Sequence, residues 1–313
     1  MPLIIISSFI LFLLVAFFVG TYIVYRMAFY NDMKNKEERW EPMKGPQYKK
    51  FEDTSRAMIA SSRQIPYEED IYIKAKDGTK LHARLYKSIV DTGVFAIECH
   101  GYKDPAVKDF CGGLEQSLKM NHNVLLIDHR GHGESGGRTI SFGIKERYDV
   151  IDWINYLNNR FNSPDILLYG ISMGASTVLL CSNMNLPANV IGIVADCPYS
   201  SAKREVVWTA KKMGVPPSLG YPALFLGAAI YGHFDLRKGE VAEAVKTSSK
   251  KILLIHGTDD HTVPFEMAEE IYNANKDMIT FVPVEGAPHG LSWMVDNKKY
   301  LDSLDTFLKS IMR

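Results

Sequence analysis

From residue 67 onward the chain carries two kinds of apolar pattern. In "DIYIKA" (70–75) and "LHARLYK" (81–87), apolar and polar residues alternate on either side of Asp77-Gly78. Alternation around an Asp-Gly pair predicts an antiparallel hairpin. Six short runs then follow that are apolar at nearly every position: "VFAIECH" (94–100), "NVLLIDH" (123–129), "DILLYG" (165–170), "VIGIVADC" (190–197), "KILLIHG" (251–257) and "MITFVPV" (278–284). Between most of them the period changes to that of a helix. In "RYDVIDWINYLNNRF", for example, Val150, Ile151, Ile154 and Leu157 fall near one face. Continuous apolar strands alternating with amphipathic helices predict an α/β fold: a mostly parallel sheet with helices on both faces and the hairpin at one edge.

Two stretches break this rhythm. Residues 198–250 are too long for a simple crossover and contain helical segments, including the apolar "YPALFLGAAIYGHF"; they predict a small helical cap above the sheet. The N-terminus, "PLIIISSFILFLLVAFFVGTYIVY" (Pro2 to Tyr25), is uncharged throughout. A helix of that length is about 36 Å long, enough to cross a hydrocarbon core of about 30 Å. It lacks the basic leader, short apolar core and small-residue cleavage site of a signal peptide. We therefore expect a single-pass membrane anchor at 1–25, a juxtamembrane connector at 26–66 with a short helix before Pro66, and one catalytic-sized domain at 67–313. Arg26, Lys34, Lys36, Arg39 and Lys44 all follow the span, and the positive-inside rule then places the soluble domain in the cytoplasm.

Composition narrows the chemistry. Of 313 residues 46% are hydrophobic, and 36 basic residues balance 36 acidic ones. A neutral chain without a basic stripe does not point to nucleic acid. The four cysteines (Cys99, Cys111, Cys181, Cys197) have no metal-ligand spacing, and His129 and His132 lie in a glycine-rich turn rather than on a helix face. No metal and no cofactor is expected.

The candidate chemistry centres on Gly170-Ile171-Ser172-Met173-Gly174, between a strand and the helix "SMGASTVLLCS". Small residues on both sides of a serine allow the tight corner that exposes a nucleophile at the carboxyl end of a strand. A serine needs a base, and the base needs an orienting carboxylate. Downstream lie His233, His256, His261 and His289. His233 falls in the cap region, His256 ends a strand before the acidic loop begins, and His261 sits beside the acids themselves. His289, in the loop "GAPHG", remains. The acid comes from the loop after "KILLIHG", where Asp259 and Asp260 both qualify; Asp196, at another strand end, is a third candidate. Two backbone donors are expected for an oxyanion: the N–H of Met173, after the nucleophile, and that of Tyr102, after the flexible Gly101.

Together "HGY", "DHRGHGESGG", "GISMG", "HGTDDHTVP" and "GAPHG" stand in the order and at the separations of an α/β-hydrolase of the serine-hydrolase type. Residues 67 to 313 resemble that superfamily, and the anchored N-terminus with "ADCPYSS" resembles bacterial membrane-associated hydrolases of the serine-aminopeptidase-like branch. The family's H-G-x-x-D-x-x-V-P pattern aligns its acid with Asp260. The resemblance implies a Ser172–Asp260–His289 triad acting through an acyl-enzyme, with Asp128 and Arg130 in structural roles. The resemblance says little about substrate; from the apolar cap we expect a small-molecule or lipid-like carboxylic ester whose acyl chain lies beneath it. A peptidase or an acyltransferase is the alternative within the same chemistry, and a membrane-tethered binding module is the alternative outside it.

Overall fold

The computed structural model of the protein describes residues 2–32, 34 and 36–312. Its centre is an eight-stranded sheet of β1 (Glu69–Lys74), β2 (Lys80–Tyr86), β3 (Val94–Cys99), β4 (Asn123–Asp128), β5 (Asp165–Ile171), β6 (Val190–Asp196), β7 (Ile252–Gly257) and β8 (Ile279–Val284). The strand order is β1-β2-β4-β3-β5-β6-β7-β8. The hairpin β1–β2 pairs antiparallel and adds antiparallel to β4, and every pair from β4 to β8 is parallel. The alternating segments thus form the edge, and the continuous apolar runs form the parallel strands. Burial explains the difference in pattern. Phe95, Ile97, Ile166, Leu168, Ile252 and Leu254 enter one core, while Ala96, Leu167, Tyr169, Leu253 and Ile255 enter the other. A strand covered on both faces is apolar at nearly every position, and the exceptions, such as Glu98 in β3 and His256 in β7, are buried as well.

The helices are α1 (Pro2–Phe29), α2 (Glu52–Ser62), α3 (Ala106–Asp109), α4 (Gly113–Lys119), α5 (Glu146–Arg160), α6 (Met173–Leu180), α7 (Ala202–Lys212), α8 (Pro217–Ile230), α9 (Val241–Val245), α10 (Phe265–Ala274), α11 (Ser292–Val295) and α12 (Asn297–Ile311). α5, α6, α9 and α10 supply side chains to the first core, among them Trp153, Val178, Val245 and Ile271. α4 and α12 cover the second through Leu114, Leu304 and Phe307. Burying each such large side chain contributes about 1.5–3 kcal/mol.

The two irregular stretches differ from their sequence-based outlines. In the region 198–250, α7 and α8 pack on each other, on the short turn Leu236–Lys238 and, through α8, on α1. α9 returns to the body beside α6 and α10, where Val241, Ala244 and Val245 are buried. The segment Ile4–Phe29 is long and apolar enough to cross a membrane, and its most apolar window is only 6% buried, unlike a core helix. The helix also continues past Tyr25. Its end docks: Tyr25 and Phe29 are buried, and the Tyr25 hydroxyl lies 2.7 Å from Thr139 Oγ1. Arg26, which ends the uncharged run, sits over the Tyr30 ring and does not interrupt the helix. Nor do residues 37–62 hang free, since Tyr48, Ile59 and Ser62 are buried against the domain.

Candidate active site

β5 ends at Ile171 and α6 begins at Met173, so Ser172 alone makes the corner. Its backbone lies at φ 55°, ψ −117°. Such a conformation costs an L-residue about 1–3 kcal/mol and persists only where the surroundings enforce it. Close packing is what enforces it here. A Cβ on Gly170 would lie 2.3 Å from Gly174 O, and one on Gly174 would lie 1.8 Å from Cys99 O. The glycines flanking the serine therefore let α6 descend directly onto the ends of β3 and β5. The Ser172 N–H donates to Asp196 O at 2.8 Å and ties the corner to β6.

The loop after β8 brings His289 onto this corner. Its Nε2 lies 2.9 Å from Ser172 Oγ, and its Nδ1 lies 2.6 Å from Asp260 Oδ2. The other carboxylate oxygen, Oδ1, accepts from the N–H groups of Thr262 and Val263, each at 2.8 Å. Asp260 is buried, whereas Asp259 is exposed and pairs with His261 at 3.2 Å. Asp196 is buried and pushed up to about 6 by burial. His256 donates from Nε2 to Val263 O at 3.1 Å and backs the acidic loop.

Burial alone disfavours charge on both members of the His289–Asp260 pair. Their mutual attraction outweighs it: Asp260 is held well below the usual carboxylate range, and His289 is raised well above 6.5. Cys197, at φ 50° after β6, places Sγ 4.0 Å from His289 Nε2. Its thiol is pushed up to about 11 by burial and is neutral at pH 7, so Asp260 is the charge that acts on the imidazole. Cys197, Asp260 and His289 form the one group among the described residues whose donor atoms, within 4.8 Å of one another, are close enough to share a metal ion. Two of the three are already committed to each other and to Ser172 by hydrogen bonds.

The loop after β3 passes against the same corner. A Cβ on Gly101 would lie 3.3 Å from Ser172 Cβ and 2.9 Å from Asp109 Oδ2. The Gly101 N–H donates to Asp109 at 2.5 Å, and the Lys103 N–H donates to His132 Nε2 at 3.0 Å. Between them the Tyr102 N–H has no acceptor among the described residues, and neither has the N–H of Met173 at the start of α6. Buried His100 braces the turn, donating from Nδ1 to Gly101 O at 2.8 Å and accepting from the His129 N–H. The "DHRGHGESGG" loop is braced by charge: Arg130 holds Asp149 with two hydrogen bonds and reaches Asp77, and His82 bridges Asp70 and Asp128.

A cavity of about 350 Å³ opens at Ser172 and His289. Its apolar wall comes from Met43, Ile59, Tyr102, Ile171, Leu291 and Met294, with Tyr48 beside them. None of its lining residues comes from 198–250, so the expectation of an acyl chain beneath α7 and α8 does not match where the open space lies. α8 spends its apolar face on α1, while the segment before β1 folds back over the site: Met43 reaches Gly290. α7 contributes Glu205, buried within electrostatic reach of His289 and pushed up to about 7 by burial. No motif marks Met43, Tyr48 or Glu205 in the sequence. Glycine spacing marks a local backbone demand, but a cavity wall is set by distant packing.

Residues 97–224 match the family model described as Hydrolase_4, serine aminopeptidase S33. The uncharacterized protein YqkD of Bacillus subtilis is 26% identical over 225 residues, 71% of this chain and 73% of its own. Human protein ABHD12B is 29% identical over 189 residues, 54% of this chain and 48% of its own. Among solved structures, the Pyrococcus furiosus esterase Pf2001 aligns with a TM-score of 0.64 at 23% identity, covering 80% of this chain and 94% of that one. Likeness at that identity establishes the fold, and the chemistry is argued from the site.

Proposed function

We propose, from the premise that this chain carries the α/β-hydrolase fold, that it is a serine hydrolase of carboxylic esters. The observation that carries the reading is the unbroken contact from Ser172 Oγ through His289 to buried Asp260, at 2.9 and 2.6 Å, on a serine held at positive φ. His289 Nε2 takes the Ser172 proton as Oγ attacks the ester carbonyl. Asp260 stabilises the imidazolium and keeps the ring proton on Nδ1. The N–H groups of Met173 and Tyr102 hold the tetrahedral oxyanion. Collapse expels the alcohol, protonated by His289, and a water activated by the same imidazole then hydrolyses the acyl-enzyme. The acyl group lies in the cavity walled by Met43, Ile59, Leu291 and Met294, which suits an apolar chain.

α1 tethers the enzyme to a membrane, with the domain on the cytoplasmic side that the following basic residues favour. A second reading, an aminopeptidase, is favoured by the family model and by Asp109, a carboxylate lining the cavity where a substrate ammonium would sit. One experiment addresses both. The full-length protein is treated with a fluorophosphonate and assayed on p-nitrophenyl esters beside aminoacyl p-nitroanilides. The expected result is stoichiometric labelling that Ser172→Ala abolishes, with ester turnover dominant. Equal labelling of Ser172→Ala sinks the mechanism, and dominant anilide turnover selects the peptidase. Added alcohol yielding new ester in place of free acid would make it an acyltransferase.

A further inference from the structure

The last turn of α1 bonds to the loop that carries Tyr102. The Tyr102 hydroxyl donates to Ala28 O at 2.8 Å, and Lys103, itself at φ 61°, donates its ammonium to Met27 O at 3.3 Å. The final carbonyls of a helix have no partner within it, and two of them are taken up by this loop. Ring packing runs along the same path. Phe29, fully buried, meets Phe142 edge-on with centroids 5.8 Å apart, and Phe142 lies against the Tyr102 ring at 5.2 Å. From the domain side, Asp109 and His132 hold the N–H groups of Gly101 and Lys103. The peptide that presents the Tyr102 N–H is therefore gripped from two directions. One grip belongs to the hydrolase fold and the other to a helix about 75 residues earlier in the chain.

We propose that the end of α1 is a positioning element for acyl transfer. Ala28 and Phe29, acting through the Tyr102 side chain, hold the Tyr102 N–H where the oxyanion forms, and the chemical step thereby senses how α1 is seated. The inference rests on the reading of Tyr102 as an oxyanion donor. Such a donor must lie about 2.7–3.1 Å from the developing charge, and losing one costs about 10²–10³ in kcat. A donor that is kept but allowed to drift loses part of that factor. Because the ground-state carbonyl is held less tightly than the oxyanion, the loss falls on kcat rather than KM. A scaffold-only role for the same contacts would lower thermal stability and leave kcat alone.

The test uses the full-length protein in detergent micelles. Tyr102→Phe keeps the N–H and the ring and removes only the bond to Ala28 O; Phe29→Leu loosens the ring contact without touching the loop. Each is assayed for kcat and KM on p-nitrophenyl butyrate, and for the fraction of Ser172 labelled at fluorophosphonate saturation. We expect kcat to fall at least fivefold in Tyr102→Phe, with KM within twofold and full labelling, and Phe29→Leu to lower kcat in the same sense. A smaller fall in Tyr102→Phe, or a loss carried by KM, overturns the proposal; should Phe29→Leu fail to fold, Tyr102→Phe decides alone. Wild-type protein that does not label at Ser172 overturns the hydrolase reading itself, whereas labelled wild type with unaltered Tyr102→Phe kinetics overturns only the role of α1.

Discussion

Replacing Asp260 by asparagine removes one charge from the site with almost no change of shape. In the native site Asp260 Oδ1 accepts from two backbone N–H groups at 2.8 Å, and Oδ2 faces His289 Nδ1 at 2.6 Å. Asparagine has a single acceptor oxygen, and the two backbone donors claim it, so the amide NH2 is turned toward His289. A donor facing Nδ1 makes that nitrogen the acceptor and moves the ring proton to Nε2. Nε2 then points a hydrogen at Ser172 Oγ and cannot take its proton. The lost charge adds to the wrong tautomer. Opposite unit charges about 4 Å apart at an effective dielectric near 20 attract by about 4 kcal/mol, which corresponds to about 10³ in rate. Asp260→Asn should therefore lower kcat about 10³–10⁴-fold, with KM within about threefold. The assay is p-nitrophenyl butyrate hydrolysis between pH 5 and 9. The neutral imidazole is the base, so wild-type kcat/KM rises with pH through a His289 pKa raised above 6.5, and the variant's rise moves to lower pH. Asp259→Asn, on an exposed residue, serves as control and should stay within twofold. An Asp260→Asn enzyme keeping more than a tenth of wild-type kcat would refute the reasoning.

Three further outcomes follow from packing and burial. Gly174→Ala puts a methyl 1.8 Å from Cys99 O, and backbone has to move; a loss of about 3 kcal/mol or more, or about 6–12 °C in Tm, is expected, and a melt within 2 °C of wild type contradicts the tight corner. Glu98 is fully buried on Ser117 and pushed up to about 8 by burial, against 4.5 ordinarily. Between those values the unfolded chain releases a proton that the folded one keeps, so stability falls as pH rises. Glu98→Gln should flatten that slope in denaturation midpoints taken at pH 5 and pH 8, and an unchanged slope counts against it. Met43→Trp should shift the preferred p-nitrophenyl ester to a shorter acyl chain, while Phe225→Ala in α8 leaves the profile alone; the opposite pattern would return the acyl site to the region of α7 and α8.

The sheet was legible because burial on both faces constrains nearly every residue of β3 to β7, and so dense a constraint leaves a pattern that needs no tertiary knowledge. The hairpin was legible from alternation and one Asp-Gly turn. The corner at Ser172 could be read from its glycine spacing: Gly170 answers a demand within the corner itself, while Gly174 makes room for the end of β3 at Cys99 O. Other features had no such local mark. Residue type alone did not separate Asp259 from Asp260; the family pattern pointed to Asp260, and the structure supplies the physical difference, burial created when the N–H groups of Thr262 and Val263 turn onto one carboxylate. The end of α1 was set at the first charge, whereas the helix runs on to bury Phe29. The open space at Ser172 was expected under residues 198–250, and it is walled instead by Met43, Tyr48 and Ile59. By itself, then, the sequence determined the periodicities, the turns and the residue types able to do acyl chemistry. Only the tertiary structure decided which segment walls the cavity and what grips Tyr102. Periodicity records that a face must be buried, but many surfaces can bury it, and the choice among them is made by the packing of segments far apart in the chain.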